Sequence, residues 1–345
     1  MPALGQAYVA VGGGVAVLGT GLSVTGYQLS TGKQLWQTAL DAPLGTEIIS
    51  VRAWPGVITV GLLAPDGRAR TEFVLNATTG NPVRHYPAAV FGGAVAASKS
   101  ATVIVGPATV TSYNNATGRV RWQHETAGGQ AWQVDGPTLY MAESPGGYPG
   151  SSQVTALRVF DLATGTQRVL SSPRGSPFSG TLALAADGAV LFASPSGVTA
   201  YSGSTGGTLW MKRGAVPEGT DPAAGLVDLT LPGGALAAVD PSTGAVSASV
   251  PASAATGAAG LYVVRAGVAL GLNSGASGTA WGYNMAKGTV TWTSPALPWP
   301  HFFADLSGLG GSAALSDDIV VVTACQRLDS SPGLCAEPEL VAFAV

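Results

Sequence analysis

Apolar residues along this chain come in short runs, separated by Gly, Pro, Asp and Ser. Runs of that kind, bounded by turn-forming residues, are typical of short β-strands. Apolar positions nowhere follow a helical period over a helix-length stretch, so almost no helix is predicted. The pattern therefore predicts an all-β protein built from many short strands.

One short pattern returns along the chain, first as YQLSTGKQLW at residues 27–36. Each later copy keeps a small polar turn ahead of a glycine. The aligned glycines are Gly32, Gly80, Gly118, Gly165, Gly206, Gly244 and Gly288. Successive glycines are 48, 38, 47, 41, 38 and 44 residues apart. A period of about 40–45 residues indicates one supersecondary unit repeated as a propeller or solenoid.

Each repeat divides into four strands, with the glycine in the turn before the fourth. Glycine supplies the positive φ that such a turn requires. The residue four positions earlier is polar and is expected to cap the turn with its side chain; these residues are Gln28, Asn76, Asn114, Asp161, Ser202, Asp240 and Asn284. Four positions after the glycine, four repeats carry a tryptophan that is predicted to fill the gap between adjacent sheets; these are Trp36, Trp122, Trp210 and Trp292.

The repeat count predicts an eight-bladed propeller in one domain, with seven blades as the alternative. The approximate blade boundaries are 1–40, 41–88, 89–126, 127–173, 174–213, 214–252, 253–296 and 297–345. The last copy stops before its glycine turn. Either residues 1–6 complete its sheet or the eighth blade has three strands. We expect the protein to be an ectodomain or subunit of a larger membrane-associated assembly.

Composition and charge exclude several kinds of partner. Only 10% of residues are charged and the net charge is −3. The scattered Lys and Arg form no basic stripe, so no nucleic-acid partner is expected. Residues 1–32 carry no charge, but glycines cut them into strand-length pieces. A membrane span or a retained signal peptide is therefore not predicted, and any targeting segment is expected to lie outside this sequence.

The two cysteines, Cys325 and Cys335, bracket a loop with a Ser-Ser-Pro-Gly turn. A disulfide is favoured, with two free thiols or a metal site as alternatives. A disulfide implies an oxidising compartment and hence an extracytoplasmic protein.

The repeated strand–[D/N]-x-x-T-G-x-x-x-W pattern resembles the pyrroloquinoline-quinone-type β-propeller repeat over nearly the whole chain. That family includes quinoprotein dehydrogenases, the propeller lipoprotein of the outer-membrane β-barrel assembly machinery and other extracytoplasmic propellers. The resemblance implies a fold and does not by itself carry a function. Relatives that are quinone- and calcium-dependent dehydrogenases are longer and carry adjacent cysteines, a pattern this sequence departs from. No cofactor or metal is therefore predicted.

Three stretches depart most from the repeat: 144–153, 214–222 and 295–311. They supply the candidate partner surface, which consists of Tyr148, Glu218, Asp221, Trp299, His301, Phe302 and Phe303. Exposed aromatic residues are typical interface anchors. For the aromatic cluster of 295–311, a plug packed on the propeller face is favoured, with a surface anchor for a partner as the alternative. The leading hypothesis is a non-catalytic module that binds protein partners through one face. The alternatives are a quinone- and calcium-dependent dehydrogenase and a sensor of a small ligand in the axial channel.

Overall fold

The structure is a computed structural model, and it describes most of the chain. The described residues are 7–88, 93–106, 108–126, 129–143, 153–154, 156–171, 178–221, 225–251, 261–265, 268–272, 280–284, 287, 289–293, 313–316, 319–325 and 338–344. Every regular element in these ranges is a β-strand. The same residues include no helix long and apolar enough to cross a membrane.

The first four sheets each contain four antiparallel strands in chain order. Sheet 1 comprises β1 (Ala7–Gly12), β2 (Val15–Thr20), β3 (Ser23–Gln28) and β4 (Gln34–Ala39). Sheet 2 comprises β5 (Glu47–Trp54), β6 (Val57–Leu63), β7 (Arg70–Asn76) and β8 (Pro82–Ala88). Sheet 3 comprises β9 (Gly93–Ala97), β10 (Ala101–Val105), β11 (Thr109–Asn114) and β12 (Val120–Glu125). Sheet 4 comprises β13 (Gly129–Asp135), β14 (Thr138–Glu143), β16 (Ala156–Asp161) and β17 (Gln167–Ser171).

The remaining sheets follow the same order, and a small additional sheet lies between sheets 4 and 5 in the chain. That two-stranded sheet pairs β15 (Gln153–Val154) with β18 (Phe178–Ser179). Sheet 5 comprises β19 (Thr181–Ala186), β20 (Ala189–Ser194), β21 (Gly197–Ser202) and β22 (Thr208–Arg213). Sheet 6 comprises β23 (Val216–Asp221), β24 (Leu226–Thr230), β25 (Leu236–Val239) and β26 (Val246–Val250). Sheet 7 comprises β27 (Leu261–Arg265), β28 (Val268–Leu272), β29 (Ala280–Asn284) and β30 (Thr289–Thr293). Sheet 8 comprises β31 (Ala313–Ser316), β32 (Ile319–Cys325) and β33 (Pro338–Ala344).

The sheets are arranged as the blades of a propeller. Their first strands contact one another, as β1 does β5, β13 does β19 and β23 does β27, so these strands surround a common axis. Strand β1 also contacts β31 and β32, so sheet 8 lies beside sheet 1. Besides the two-stranded sheet, the described residues thus form seven four-stranded sheets and one three-stranded sheet. This confirms the predicted all-β propeller fold.

The hydrophobic core is divided into layers between neighbouring sheets. Val17, Ile58 and Leu75 belong to the layer between sheets 1 and 2, and Leu191, Val227 and Leu229 to the layer between sheets 5 and 6. A layer that joins sheet 8 to sheet 1 contains Val9, Leu18 and Val321. Burial of apolar surface in these layers is the main force that holds sheet to sheet. The fourth strands, at the outside, are the most exposed.

The propeller has two different faces. Within each sheet, the connection between first and second strands and the one between third and fourth strands lie at one end; we call this end the turn face. The connection between second and third strands lies at the other end, and so does the chain that leads to the next sheet; we call this end the loop face. The strand ends that flank residues 144–152 and 294–312 all lie at the loop face.

Candidate functional site

The glycine turns have one geometry in the six repeats where the structure describes them. The glycine N–H donates to the carbonyl oxygen four residues earlier, at 2.7 Å or 2.8 Å, in every one of these turns. The six glycines have φ between +68° and +76°; they are Gly32, Gly80, Gly118, Gly165, Gly206 and Gly244. Gly288 lies outside the described residues. A side chain resists this left-handed conformation, which is why glycine recurs.

The polar residue four positions before the glycine caps the turn. Asp161 Oδ1 accepts the backbone N–H of Thr164 at 2.7 Å, and Asp240 Oδ1 accepts that of Thr243 at 2.8 Å. The Thr164 backbone bond is the largest of the effects that lower the pKa of Asp161. A hydrogen bond from the Ser242 hydroxyl is the largest cause for the lowered pKa of Asp240. Donors aimed at a carboxylate favour its charged form.

The tryptophans of the repeat lie against the glycine turn of the next sheet. A Cβ placed on Gly80 would lie 2.5 Å from Trp36 Cε3, and one placed on Gly165 would lie 2.5 Å from Trp122 Cγ. Gly244 makes the same approach to Trp210. The absence of a side chain on the glycine is therefore what lets the indole ring sit on the turn. Trp292 is in β30, and the placement of its side chain lies outside the described residues.

Arginines take the tryptophan position in sheets 2 and 4. Arg84, four residues after Gly80, donates to Asn115 O at 3.3 Å and Ala116 O at 2.8 Å. Strand β17 lacks the one-residue bulge found in the other described fourth strands of sheets 1 to 7, so Arg168 pairs where Trp36 does in sheet 1.

All four described side chains that donate from this position reach the same kind of carbonyl, that of the residue three before the next glycine. Trp36 reaches Ala77 O at 2.9 Å and Trp210 reaches Pro241 O at 2.8 Å. Arg168 reaches Gly203 O at 2.7 Å. Trp122 differs, since its buried Nε1 has no partner among the described residues. The repeat pattern did not predict the arginines, because it was defined by tryptophan at this position.

A buried group of polar side chains lies near the axis between sheets 2 and 3. Arg70 and Glu72, both on β7, form an ion pair and are 6% and 1% exposed. Arg70 Nη2 also donates to Ser50 Oγ at 2.9 Å. A Cβ on Gly61 or Gly93 would lie 2.6 Å or 2.5 Å from Arg70 Nη2, so these glycines make the space for the pair. Burial of either charge alone would be strongly unfavourable, so each side chain needs the other as its counter-charge.

Arg52 on β5 links three sheets around this group. Its guanidinium donates to Ala94 O of sheet 3 and lies 5.2 Å from the ring centre of Trp132 in sheet 4. Burial is the main cause that lowers the pKa of Arg52; Glu72 opposes that change and Arg70 adds to it. The arrangement satisfies the guanidinium by a carbonyl and an aromatic face.

The candidate partner residues are only partly described. Glu218 and Asp221 belong to β23, which pairs with β24 as a first strand should, with a bulge between Pro217 and Gly219. The sequence predicted that 214–222 departs from the repeat. This was wrong for Val216–Asp221, which form a first strand whose bulge accommodates one extra residue. Glu218 Oε1 accepts the Thr230 hydroxyl at 2.7 Å. Tyr148, Trp299, His301, Phe302 and Phe303 lie outside the described residues.

The two-stranded sheet fixes one non-repeating segment to the loop face. It pairs the chain before β16 with the chain before β19. Phe178, which is fully buried, stacks on Phe192 at 5.1 Å between ring centroids and meets Tyr201 edge-on at 4.9 Å. Residues 153–154 are thus held beside sheet 5, although nothing in the sequence pattern predicted the pairing.

Neither the predicted disulfide nor a metal site can be located among the described residues. Cys325 ends β32, and Cys335 lies outside the described residues, so the disulfide stays a prediction. Within the described ranges, no three His, Cys, Asp or Glu side chains lie close enough together to hold a metal ion.

A cleft of about 350 Å³ opens beside sheet 2, under the segment that links it to sheet 1. Its lining residues are Asp41, Ala42, Pro43, Thr46, Leu62, Ala64, Thr71, Phe73 and His85. The Thr46 N–H donates to Pro43 O at 3.1 Å, and Gly45 has φ +86°. This closed turn forms the wall of the cleft nearest the loop face. No sequence pattern pointed to this site.

Comparison with known proteins gives a family and several similar folds. A family model described as outer membrane protein assembly factor BamB matches residues 59–232 and 107–269. No curated protein matches the sequence.

The computationally designed Ika8 protein is 15% identical with a TM-score of 0.60, and the match covers 100% of this chain and 98% of that protein. The quinohemoprotein alcohol dehydrogenase from Comamonas testosteroni is 14% identical with a TM-score of 0.55, covering 99% of this chain and 76% of the enzyme. BamB from Moraxella catarrhalis is 21% identical with a TM-score of 0.47, covering 77% of this chain and 79% of that protein. The similarity to the Ika8 protein and to the dehydrogenase shows the fold alone.

Proposed function

This chain belongs to the family described as outer membrane protein assembly factor BamB, and from that membership we propose that it is a non-catalytic binding or assembly module outside the cytoplasm. In this proposal it works as a subunit of a larger membrane-associated assembly and recognises a protein partner through its loop face. The family description speaks of assembly of outer membrane proteins, which fits an extracytoplasmic location. The two cysteines are proposed to form a disulfide there.

The observation that carries the proposal is the difference between the two faces. At the turn face, the described glycine turns follow one pattern, and neighbouring sheets satisfy several of their carbonyl groups. At the loop face, the strand ends flank the long non-repeating segments 144–152 and 294–312. Leu44, also at the loop face, has 95% of its side chain exposed. Binding residues concentrate on variable loops carried by a rigid scaffold.

Site-specific photo-crosslinking tests which face binds. A photoreactive residue at Leu44 or Tyr148 is expected to capture a partner from an envelope extract. The matched control is Thr31, which is exposed in a glycine turn at the opposite face. Equal capture from Thr31, or no capture from Leu44 or Tyr148, would contradict the proposal.

Two further measurements test the non-catalytic assignment and the disulfide. Reduction of a redox dye by alcohols or sugars, after addition of pyrroloquinoline quinone and Ca²⁺, would overturn the non-catalytic assignment. Thiol titration of the unfolded, unreduced protein is expected to find no free thiol. Two thiols per chain would remove the disulfide and the argument for an oxidising compartment.

A further inference from the structure

The cleft between the sheet 1–sheet 2 linker and sheet 2 has the composition of a small-ligand site. Its volume of about 350 Å³ lies at the small end of the range for ligand pockets, roughly 300–1,000 Å³. Leu62, Pro43 and Phe73 supply apolar walls, while Asp41, Thr46 and His85 supply polar groups. Ligand sites typically combine a mostly apolar lining with a few placed polar groups.

The linker is held in place, so the cleft is a formed feature of the fold. Residues 43–46 make a tight turn, closed by the hydrogen bond from Thr46 N–H to Pro43 O at 3.1 Å. Gly45, with φ +86°, takes the position that needs a left-handed backbone. The Leu40 N–H donates to Leu22 O at 2.8 Å, which fixes the start of the linker to sheet 1. A pre-formed site loses less entropy when it binds a ligand.

Thr46 points to a hydrogen-bonding ligand. Its side chain is 8% exposed, and its buried Oγ1 has no hydrogen-bond partner among the described residues. A buried hydroxyl without a partner is unfavourable, because it has lost water and gained nothing in exchange. A ligand donor that reaches this oxygen would supply the missing bond.

The charges around the cleft favour a cation. Asp41 contributes a carboxylate to the lining. No lysine or arginine is among the described residues that line the cleft. The Phe73 and His85 rings lie 5.5 Å apart, centroid to centroid, and the Phe73 ring offers a π face that attracts a positive charge.

We propose that this cleft binds a primary ammonium group carried on a short apolar stem. The ammonium group pairs with Asp41 and donates to Thr46, and the stem packs on Leu62 and Phe73. The same chemistry occurs in a free alkylamine and in the lysine side chain of an extended peptide. This site lies at the loop face, beside the linker that carries Leu44. Its test needs only the purified protein, so its failure is distinguishable from failure of the proposed partner binding.

Titration by ¹H–¹⁵N NMR with n-butylammonium, 1-butanol and butyrate tests the ligand class. Butylammonium is expected to shift the amide signals of Asp41 and Thr46 to saturation. Asp41→Asn is expected to weaken it roughly fivefold, as for loss of one exposed ion pair; Glu125→Gln, an exposed carboxylate on β12, should change nothing. Equal binding of butanol, binding of butyrate, or shifts confined to other sheets would overturn the proposal.

The source of the amine is distinguished by a second ligand. Saturable binding of Nα-acetyl-lysine amide identifies a peptide lysine as an acceptable ligand, whereas binding of butylammonium alone restricts the site to free amines. Either result supports the ammonium class. Failure of both ligands removes the proposal while leaving the partner-binding proposal untouched.

Thr46→Val gives opposite changes in stability and affinity. Removing an unpaired buried hydroxyl is expected to raise the thermal midpoint by roughly 2 °C and to weaken butylammonium binding several-fold. The matched control is Thr126→Val, because Thr126 Oγ1 is also buried without a partner among the described residues. Thr126 directly follows β12 and does not line the cleft. That variant should gain stability with no change in affinity. Unchanged affinity in Thr46→Val would overturn the role of Thr46 and with it the proposed binding mode.

Discussion

Glycine turns that share one backbone conformation differ in what surrounds them. Gly32 and Gly80 have φ of +68° and +71°. A Cβ on Gly32 would meet nothing within 4 Å, whereas one on Gly80 would meet Trp36 at 2.5 Å. Gly32→Ala is expected to destabilise the protein by about 1–2 kcal/mol through backbone strain alone. Gly80→Ala is expected to add about 1–3 kcal/mol from overpacking. Urea denaturation measures both, and equal losses would show that the indole contact is unimportant.

The indole nitrogens of Trp36 and Trp122 make a second matched pair. Trp36 Nε1 donates to Ala77 O, whereas Trp122 Nε1 is buried without a partner among the described residues. Replacement by Phe removes the nitrogen in both. We expect Trp36→Phe to be the more destabilising by about 1 kcal/mol, the net value of one hydrogen bond plus an orphaned carbonyl. The denaturation midpoints of the two variants give the comparison, and a larger loss in Trp122→Phe would contradict it.

Turn capping by aspartate makes stability depend on pH. The pKa of Asp161 and of Asp240 is lowered in the folded protein, chiefly by hydrogen bonds from Thr164 and from Ser242. Their contribution is therefore fully present above the unfolded-state value of about 3.9 and is lost as the pH falls through the folded-state value. Asp240→Asn keeps a capping oxygen but removes the charge. Its stability deficit at neutral pH is expected to vanish near pH 2 in urea titrations; a deficit independent of pH would exclude the carboxylate as its cause.

Within strand β7, the buried ion pair is expected to affect the free energy of unfolding more than a surface ion pair would. Arg70 and Glu72 are almost completely buried, whereas Arg158 and Glu143 in sheet 4 are less so. Glu72→Gln leaves a buried guanidinium without its counter-charge, and we expect a loss of about 3–5 kcal/mol. Glu143→Gln should be milder. The double variant Arg70→Met, Glu72→Leu is expected to recover most of the loss, which thermal denaturation can establish; no recovery would show that the charges themselves are needed.

Strands and turns could be predicted from the sequence because both depend on neighbouring residues. Short apolar runs bounded by turn-forming residues predicted the strands, and the polar residue four positions before each glycine predicted the turn caps. The bulges were not predictable in this way. Five first strands, β5, β9, β13, β19 and β23, each contain one extra residue near the start. A bulge depends on the partner strand, and in β23 it was mistaken for irregular chain.

The candidate sites could be predicted less well, because they join distant parts of the chain. The Arg84 contact could have been predicted, since Arg84 occupies the tryptophan position of the repeat. Arg168 is one residue out of phase and takes that position only because β17 lacks a bulge. The cleft combines residue 41 with residue 85, and no local pattern connects them.

For the whole molecule, we propose that the eight sheets form a single cooperative domain. Val321 of sheet 8 is 1% exposed and packs with Val9, Ala16 and Leu18 of sheet 1. Val321→Ala is expected to destabilise the entire ring by about 2 kcal/mol through lost burial and a cavity. Calorimetry should show one transition moved to lower temperature. Val290→Ala, on the exposed strand β30, should leave the transition in place, and a separate early transition in Val321→Ala would argue for independent parts.

In sheets 1 to 5, the side chain that contacts the glycine turn of the next sheet precedes that turn along the chain, so this contact follows the direction of synthesis. Every described blade comes from one continuous piece of chain, and the side chain that reaches forward is made before the carbonyl it meets. A chain leaving the ribosome can therefore form its blades and pack them against one another in chain order. No blade needs a strand from a later part of the chain. Only the contact between sheet 8 and sheet 1 requires that both the first and the eighth sheet have been synthesised.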